Sequence, residues 1–328
     1  MAVVGAGSWG TALAVQLARG EREVRIWGRD STQLDAMIRD RVNGRYLPGV
    51  DFPERLSACT ELGDCLAGVR DILIAVPSHG LRDTLRSIRP LLADNARVSW
   101  ATKGFELHTG KLPHQVAADV LGDDLPMAVL SGPTFAKEVG EGLPTAITVA
   151  ANNADLAQEI AVALSGDNFR AYTSDDMIGV EVGGAIKNVL AIGAGMSDGL
   201  GFGANSRIAL ITRGLVEMTR LGVALGAQKE TFMGLAGMGD LVLTCTDNLS
   251  RNRRMGLALA GGKTVDEAQH EIQQVVEGVM AAEAVNEVAD ELGIEMPICH
   301  QVYRILYENA SIREAVGALM GRELRAES

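Results

Sequence analysis

A two-domain protein is predicted, with a doubly wound, mostly parallel α/β sheet in the first domain and only helices in the second. Three features of the 328-residue chain carry this prediction. The chain opens on an apolar strand, a glycine turn and a helix. Short apolar runs then recur with helical stretches between them, the pattern of parallel strands covered on both faces. From about Gly179 the period changes to long helical repeats with no convincing strand afterwards, so the domains are expected at 1–178 and 179–328.

Met1 to Val4 is the first strand. Gly5-Ala6-Gly7-Ser8-Trp9-Gly10 follows, and Leu13, Ala14, Leu17 and Ala18 form the stripe of a helix running from Thr11 to Arg19. In this order, Gly5 permits the tight turn and Gly7 lets the backbone approach a pyrophosphate. Gly10 lets helix and strand pack closely, while the helix N-terminus offers unpaired N–H groups to an anion. The first domain is therefore expected to be Rossmann-like and to bind a dinucleotide.

The second strand, Glu23 to Trp27, ends in Gly28-Arg29-Asp30, where an acidic residue would hold a ribose 2′-hydroxyl and an arginine would suit a 2′-phosphate. Asp30 also reads as a helix N-cap, with Gln33 three residues later. With Asp30 assigned to the cap, Arg29 makes NADPH/NADP the expected cofactor ahead of NADH/NAD.

Further apolar runs at Ile72 to Val76, Val98 to Ala101, Met127 to Leu130 and Ala146 to Val149 are expected as parallel strands. Ligands in such sheets bind beyond the carboxyl ends of the strands. That singles out Pro77-Ser78-His79, Thr102-Lys103-Gly104 and Ser131-Gly132-Pro133-Thr134. Lys103 is placed to direct its ammonium at a phosphate or carbonyl oxygen; the alternative is a surface lysine in a turn. His79 has no nearby carboxylate in sequence and is read as a wall or loop residue.

In the second half, Ile208, Ile211, Leu215 and Met218 mark a long helix. Glycines at 183, 184, 193, 195, 199, 201 and 203 weaken any helix interior they occupy, by up to about 1 kcal/mol each relative to alanine. Close approach of helices or of a cofactor would justify that cost. Lys187 stands with Asn188 inside an otherwise small, apolar run. It either snorkels to water or is partly desolvated, which disfavours the ammonium and lets it trade a proton near neutral pH. Asp240 and Thr244, four apart, share a helix face, although Asp240 also fits a cap after Gly239. Ser250-Arg251-Asn252-Arg253-Arg254 is the one dense basic cluster, matching either phosphate oxygens or a solvated helix face.

The net charge of −12 argues against non-specific binding to nucleic acid or anionic membrane. The apolar region from Gly179 to Ala204 is interrupted by Glu181, Lys187 and Asp198, which argues against a membrane span. The first motif begins at Gly5, leaving no room for a secretory signal. Cys59, Cys65, Cys245 and Cys299 have neither paired spacing nor nearby histidines. No metal site or disulfide framework is expected, and the cysteines are read as reduced thiols in a cytoplasmic protein.

Together, GAGSWG at Gly5, PSH at Pro77, ATKG at Ala101, SGPTFAKE at Ser131, GGAIKNVLAIGAGMSDG at Gly183, GMGDLVLTCTDNLSRNRR at Gly237 and VVEG at Val275 closely resemble bacterial NAD(P)-dependent glycerol-3-phosphate dehydrogenase. The resemblance spans essentially the whole chain, apart from a start a few residues shorter than usual. It implies reversible interconversion of dihydroxyacetone phosphate and sn-glycerol 3-phosphate, supplying glycerophospholipid synthesis. It makes Lys187 the proton acceptor in oxidation and donor in reduction. It puts Ser8, Trp9, Arg29, Ala136, Arg251, Val275 and Glu277 on the dinucleotide. It puts Lys103, Gly132, Thr134, Asp240, Ser250, Arg251 and Asn252 on the substrate, Lys103 and Arg251 serving both ligands. A homodimer is also implied. Two other readings stay open: a related two-domain hydroxy-acid or ketopantoate dehydrogenase, and a non-catalytic dinucleotide sensor.

Overall fold

The computed structural model describes residues 1–20 and 22–323. Its eight strands are β1 (Ala2–Val4), β2 (Val24–Trp27), β3 (Leu56–Ala58), β4 (Asp71–Ile74), β5 (Arg97–Trp100), β6 (Met127–Ser131), β7 (Thr145–Ala151) and β8 (Phe169–Ser174). They form one sheet in the order β3-β2-β1-β4-β5-β6-β7-β8. The order reverses beside β1, whose Val4 lies level with Trp27 of β2 on one side and Ile74 of β4 on the other. That reversal opens a crevice at the carboxyl ends of β1 and β4.

Helices cover both faces of the sheet. On one face, Leu13 and Leu17 pack with Ile26, Leu130 and Ile147; on the other, Leu85 and Val116 pack with Ile72, Ile74 and Trp100. These strands are buried on both sides, so their sequences read as continuous apolar runs.

One expectation is corrected here. The Ala146 to Val149 run lies in β7, which pairs antiparallel with β6 and parallel only with β8. Between β6 and β7 the chain forms only the short helix Ala136–Glu141, which does not carry it back along the sheet as a parallel crossover requires. Strands β3 and β8 were not visible as apolar runs. Leu56-Ser57-Ala58 is three residues long, and β8 is an edge strand, largely exposed, with the polar sequence Phe-Arg-Ala-Tyr-Thr-Ser.

A 23-residue helix, Met177–Gly199, leads out of the sheet and becomes the axis of the helical part. Its N-cap is Asp176, which accepts the Gly179 N–H at 2.8 Å; the other carboxylate oxygen accepts the Gln228 N–H at 3.0 Å and the Thr231 hydroxyl at 2.5 Å. Every residue from Gly179 to Ser197 is buried. The helix is long and apolar enough to cross a membrane, with mean hydropathy 1.4, but 94% of that stretch is buried within the protein. Helices Gly203–Ala224, Asp240–Thr246, Arg251–Ala260, Glu277–Leu292 and Pro297–Tyr307 pack around it.

Two of its glycine contacts have a clear steric cause. A Cβ on Gly195 would lie 2.1 Å from the Arg253 carbonyl oxygen, and one on Gly256 would lie 2.0 Å from that of Ile192. The axial helix and the Arg251–Ala260 helix therefore meet backbone against backbone.

Candidate active site

A cleft of about 1370 Å³ lies between the sheet and the helical part. Its floor is the glycine turn. Gly5 has φ of 125°, and a Cβ there would lie 2.4 Å from the Ala75 carbonyl oxygen. A Cβ on Gly10 would lie 1.9 Å from the Gly5 carbonyl oxygen, whereas one on Gly7 would meet nothing within 4 Å. Gly5 and Gly10 are thus required by packing, and Gly7 leaves the backbone bare toward the cleft.

The helix that starts here, Ser8–Arg19, has no side-chain cap and no acidic residue in its first turn. Its leading N–H groups and positive dipole end suit a pyrophosphate. Trp9 lines the cleft, and its buried indole N–H has no partner among the described residues. The residues present therefore fit a dinucleotide.

At the end of β2, Arg29 and Asp30 both line the cleft but differ in their engagements. Asp30 caps the Ser31–Asp40 helix by accepting the Gln33 N–H at 3.1 Å, and it pairs with Arg45 at 2.9 Å. The Gln33 side chain does not complete a capping box; it donates to the Ala6 carbonyl at 2.7 Å, behind the glycine turn. Arg29 has no ion pair or hydrogen bond among the described residues. Asp30's charge is thus partly neutralised while the guanidinium of Arg29 is free. Arg45 was not foreseen, because nothing local in the sequence ties it to a carboxylate 15 residues earlier.

The chemical centre joins the two halves. Lys103 follows β5, and Lys187 sits on the axial helix. Asp240, at the start of its own helix, accepts from Lys187 Nζ at 2.6 Å and from Lys103 Nζ at 2.7 Å. Lys187 also donates to the Thr244 hydroxyl at 3.0 Å, which itself donates to the Asp240 carbonyl at 2.6 Å. Asp240 and Thr244 do share a face, as their spacing requires, and Asp240 makes no side-chain cap.

Burial drives the Lys187 pKa down to about 8; Asp240 opposes that shift and Lys103 reinforces it. For Asp240, burial works against the carboxylate, but the two ammonium groups outweigh it and hold its pKa below the usual value. Lys103, Lys187 and Asp240 together carry one net positive charge, and the Glu277 carboxylate, also in the cleft, acts on Lys187 from farther away.

The far wall comes from Ser250, Arg251, Asn252, Val275 and Glu277, all lining the cleft. Ser250 caps the Arg251–Ala260 helix, accepting the Arg253 N–H at 3.2 Å. Asn252 donates to Asn188 Oδ1 at 2.8 Å and accepts the Gly278 N–H at 2.9 Å, tying three helices together beside Lys187. The basic cluster divides by helical angle. Arg251 and Arg254 line the cleft, while Arg253 is buried against Asp198 at 2.7 Å.

Thr134, Ala136 and His79 also line the cleft. Gly10 and Gly132 do not: Gly10 is packed beneath the turn, and a Cβ on Gly132 would lie 3.1 Å from Ile147 Cα. Asn188 belongs to the wall but carried no assigned role in the sequence. Its position beside Lys187 in an apolar run was the available signal. Among the described residues, no group of histidine, cysteine and carboxylate side chains is placed to hold a metal.

The sequence matches the family models described as NAD-dependent glycerol-3-phosphate dehydrogenase N-terminus, over residues 1–157, and C-terminus, over residues 176–317. It is 55% identical over 326 residues to a glycerol-3-phosphate dehydrogenase [NAD(P)+] of Pseudoalteromonas translucida, covering 99% of this chain and 97% of that protein. The fold matches the crystal structure of a glycerol-3-phosphate dehydrogenase from Coxiella burnetii with a TM-score of 0.95 and 50% identity, covering 98% of each chain. A ketopantoate reductase from Ralstonia eutropha shares the fold alone, at TM-score 0.60 and 17% identity over 93% of this chain and 97% of that one. The glycine turn, the paired lysines on Asp240 and the basic far wall thus occur in a chain that belongs to the NAD-dependent glycerol-3-phosphate dehydrogenase family.

Proposed function

We propose that Lys187 is the proton carrier in the reversible, NAD(P)-dependent reduction of dihydroxyacetone phosphate to sn-glycerol 3-phosphate. The observation that carries this reading is the buried Lys187 ammonium, 2.6 Å from Asp240, in the cleft that also holds the glycine turn. A bound nicotinamide supplies or accepts the hydride. Lys187 gives its proton to the carbonyl oxygen during reduction and takes it from the hydroxyl during oxidation. Lys103 adds a second positive charge where oxyanion character develops. Asp240 holds both ammonium groups in place.

Residues 1–178 then form the dinucleotide domain and residues 179–328 the substrate domain. Gly5, Gly7, Gly10, Ser8, Trp9 and Arg29 serve the cofactor, and the free Arg29 supports a preference for NADPH. Ala136, Val275 and Glu277 complete that side. Gly132, Thr134, Ser250, Arg251 and Asn252 serve the phosphorylated substrate, Arg251 reaching the cofactor as well; Gly132 and Ser250 act through the backbone they shape. The four unpaired cysteines support a reducing, cytoplasmic setting. The family resemblance supports a homodimer and a role in glycerophospholipid supply.

The test is initial-rate turnover of dihydroxyacetone phosphate by wild type and Lys187→Ala, with a keto-acid panel in parallel. The variant is expected to fold and bind NADPH while kcat falls by ~10²- to 10⁴-fold. Near-wild-type turnover would remove Lys187 from the chemistry, and turnover confined to keto acids would replace the substrate.

A further inference from the structure

One buried carboxylate lies outside this chemistry yet ties the helical half of the protein to the sheet. Glu181 is on the axial helix, six residues before Lys187, and its side chain is 0% exposed. Its Oε1 accepts the Trp100 indole N–H at 2.9 Å and the His114 backbone N–H at 3.0 Å. Its Oε2 lies 2.5 Å from His114 Nδ1. Trp100 ends β5 and is fully buried. His114 is in the first turn of the Pro113–Leu121 helix, which packs on the same face of the sheet.

The connectivity gives these bonds their consequence. Three residues beyond Trp100 stands Lys103, and six residues beyond Glu181, about 9 Å along a rigid helix, stands Lys187. The Glu181–Trp100 bond therefore joins the strand that delivers one ammonium to the helix that delivers the other. Asp240 reaches both ammonium groups only while that spacing holds. Three hydrogen bonds on one buried carboxylate form a rigid joint, and a side chain with fewer acceptors leaves buried donors unpaired.

We propose that Glu181 is a positioning residue, which, through Trp100 and His114, sets the separation of Lys103 and Lys187 on Asp240. The inference rests on the assignment of both lysines to the chemistry.

The experiment compares Glu181→Gln, which keeps an oxygen for Trp100 and the His114 N–H, with Glu181→Met, which keeps the length and removes every acceptor. Both are assayed with NADPH and dihydroxyacetone phosphate well below their melting temperatures. The Met variant is expected to lose ~10- to 100-fold in kcat, the scale of a misplacement near 1 Å, with KM for NADPH within about twofold. The Gln variant is expected to recover to within about threefold of wild type.

With the spacing lost, neither Asp240, which raises the Lys187 pKa, nor Lys103, which lowers it, stays at its wild-type distance, so the alkaline limb of the Met variant moves from its wild-type position. If the Met variant does not fold, Trp100→Phe, which deletes one donor only, takes its place, with an expected kcat loss of about threefold or more. Variants with wild-type kcat and an unmoved limb, altered only in Tm, would overturn the proposal while leaving the reaction intact. Failure of wild type itself to reduce dihydroxyacetone phosphate would instead strike the underlying assignment.

Discussion

Asp240 and Lys187 are 53 residues apart in sequence and 2.6 Å apart in the fold, both buried. Such a pair is usually neutral overall, with each charge offsetting the other's desolvation. Here Lys103 adds a third charge at 2.7 Å, so the three groups together carry one positive charge, which suits the proposed development of negative charge on the substrate oxygen during reduction. The low Lys187 pKa follows from burial and this neighbour, and it matches a group that must both hold and release a proton.

The first prediction concerns pH, and its sign differs between directions. Reduction consumes the Lys187 ammonium, so its rate is level below about pH 8 and falls above it. Oxidation needs the neutral amine, so its rate rises through the same value before levelling. Far from that value, each limb changes ~10-fold per pH unit. Initial rates in both directions, in the same buffers, check this. Parallel profiles, or a limb near the ordinary lysine value, would contradict the assignment.

Asp240→Asn removes the shared anion and leaves two ammonium groups facing each other. Without the carboxylate, Lys187 gives up its proton more readily, so the alkaline limb for reduction moves to lower pH. Removing one partner of a buried ion pair also destabilises by about 3–5 kcal/mol. Chemical denaturation and the rate profile measure the two effects separately. A stable variant with an unmoved limb would mean that Asp240 does not control the lysine.

Arg29 is the group free to meet a 2′-phosphate, because Asp30 is held by the Gln33 N–H and Arg45. Arg29→Ala is expected to reduce kcat/KM for NADPH by ~10- to 100-fold, the worth of a charge-assisted contact, and to change NADH little. Steady-state kinetics with both cofactors give the ratio. An unaltered ratio would move the discrimination to another residue.

How much of this was legible depends on how local each signal is. The glycine turn was readable because its strand, glycine spacing and helix follow one another in a short stretch of sequence, although the contact that requires Gly5, with the Ala75 carbonyl, lies beyond that stretch. Lys187 stood out because an ammonium in an apolar run is costly unless it is satisfied. Asp240 and Thr244 were readable as one face, but their meeting with Lys187 depends on how two helices cross. Arg253 looked like its neighbours in the basic cluster, and only the helical angle turned it toward Asp198. The antiparallel direction of β7 was hidden because its apolar run serves either orientation, and β8 was hidden because an edge strand needs no apolar alternation.

The crossing itself gives the last prediction. Arg251 and Lys187 are carried by two helices that touch at Gly195 and Gly256. A methyl group at 256 would lie 2.0 Å from the Ile192 carbonyl oxygen and 2.7 Å from the Met196 nitrogen. Neither contact is relieved by a side-chain rotation, so Gly256→Ala must push the helices apart. The expected loss of stability is about 3 kcal/mol. The displacement also moves Arg251 relative to Lys187, so if Arg251 holds the phosphorylated substrate and the dinucleotide as proposed, KM for dihydroxyacetone phosphate and KM for NADPH should both rise. Gly317→Ala is the control. Gly317 lies within the Ile312–Met320 helix with nothing within 4 Å of an added Cβ, so its substitution is expected to be neutral or to stabilise by up to about 1 kcal/mol. Equal effects of the two substitutions on stability and KM would show that the close crossing does not set the spacing between Arg251 and Lys187.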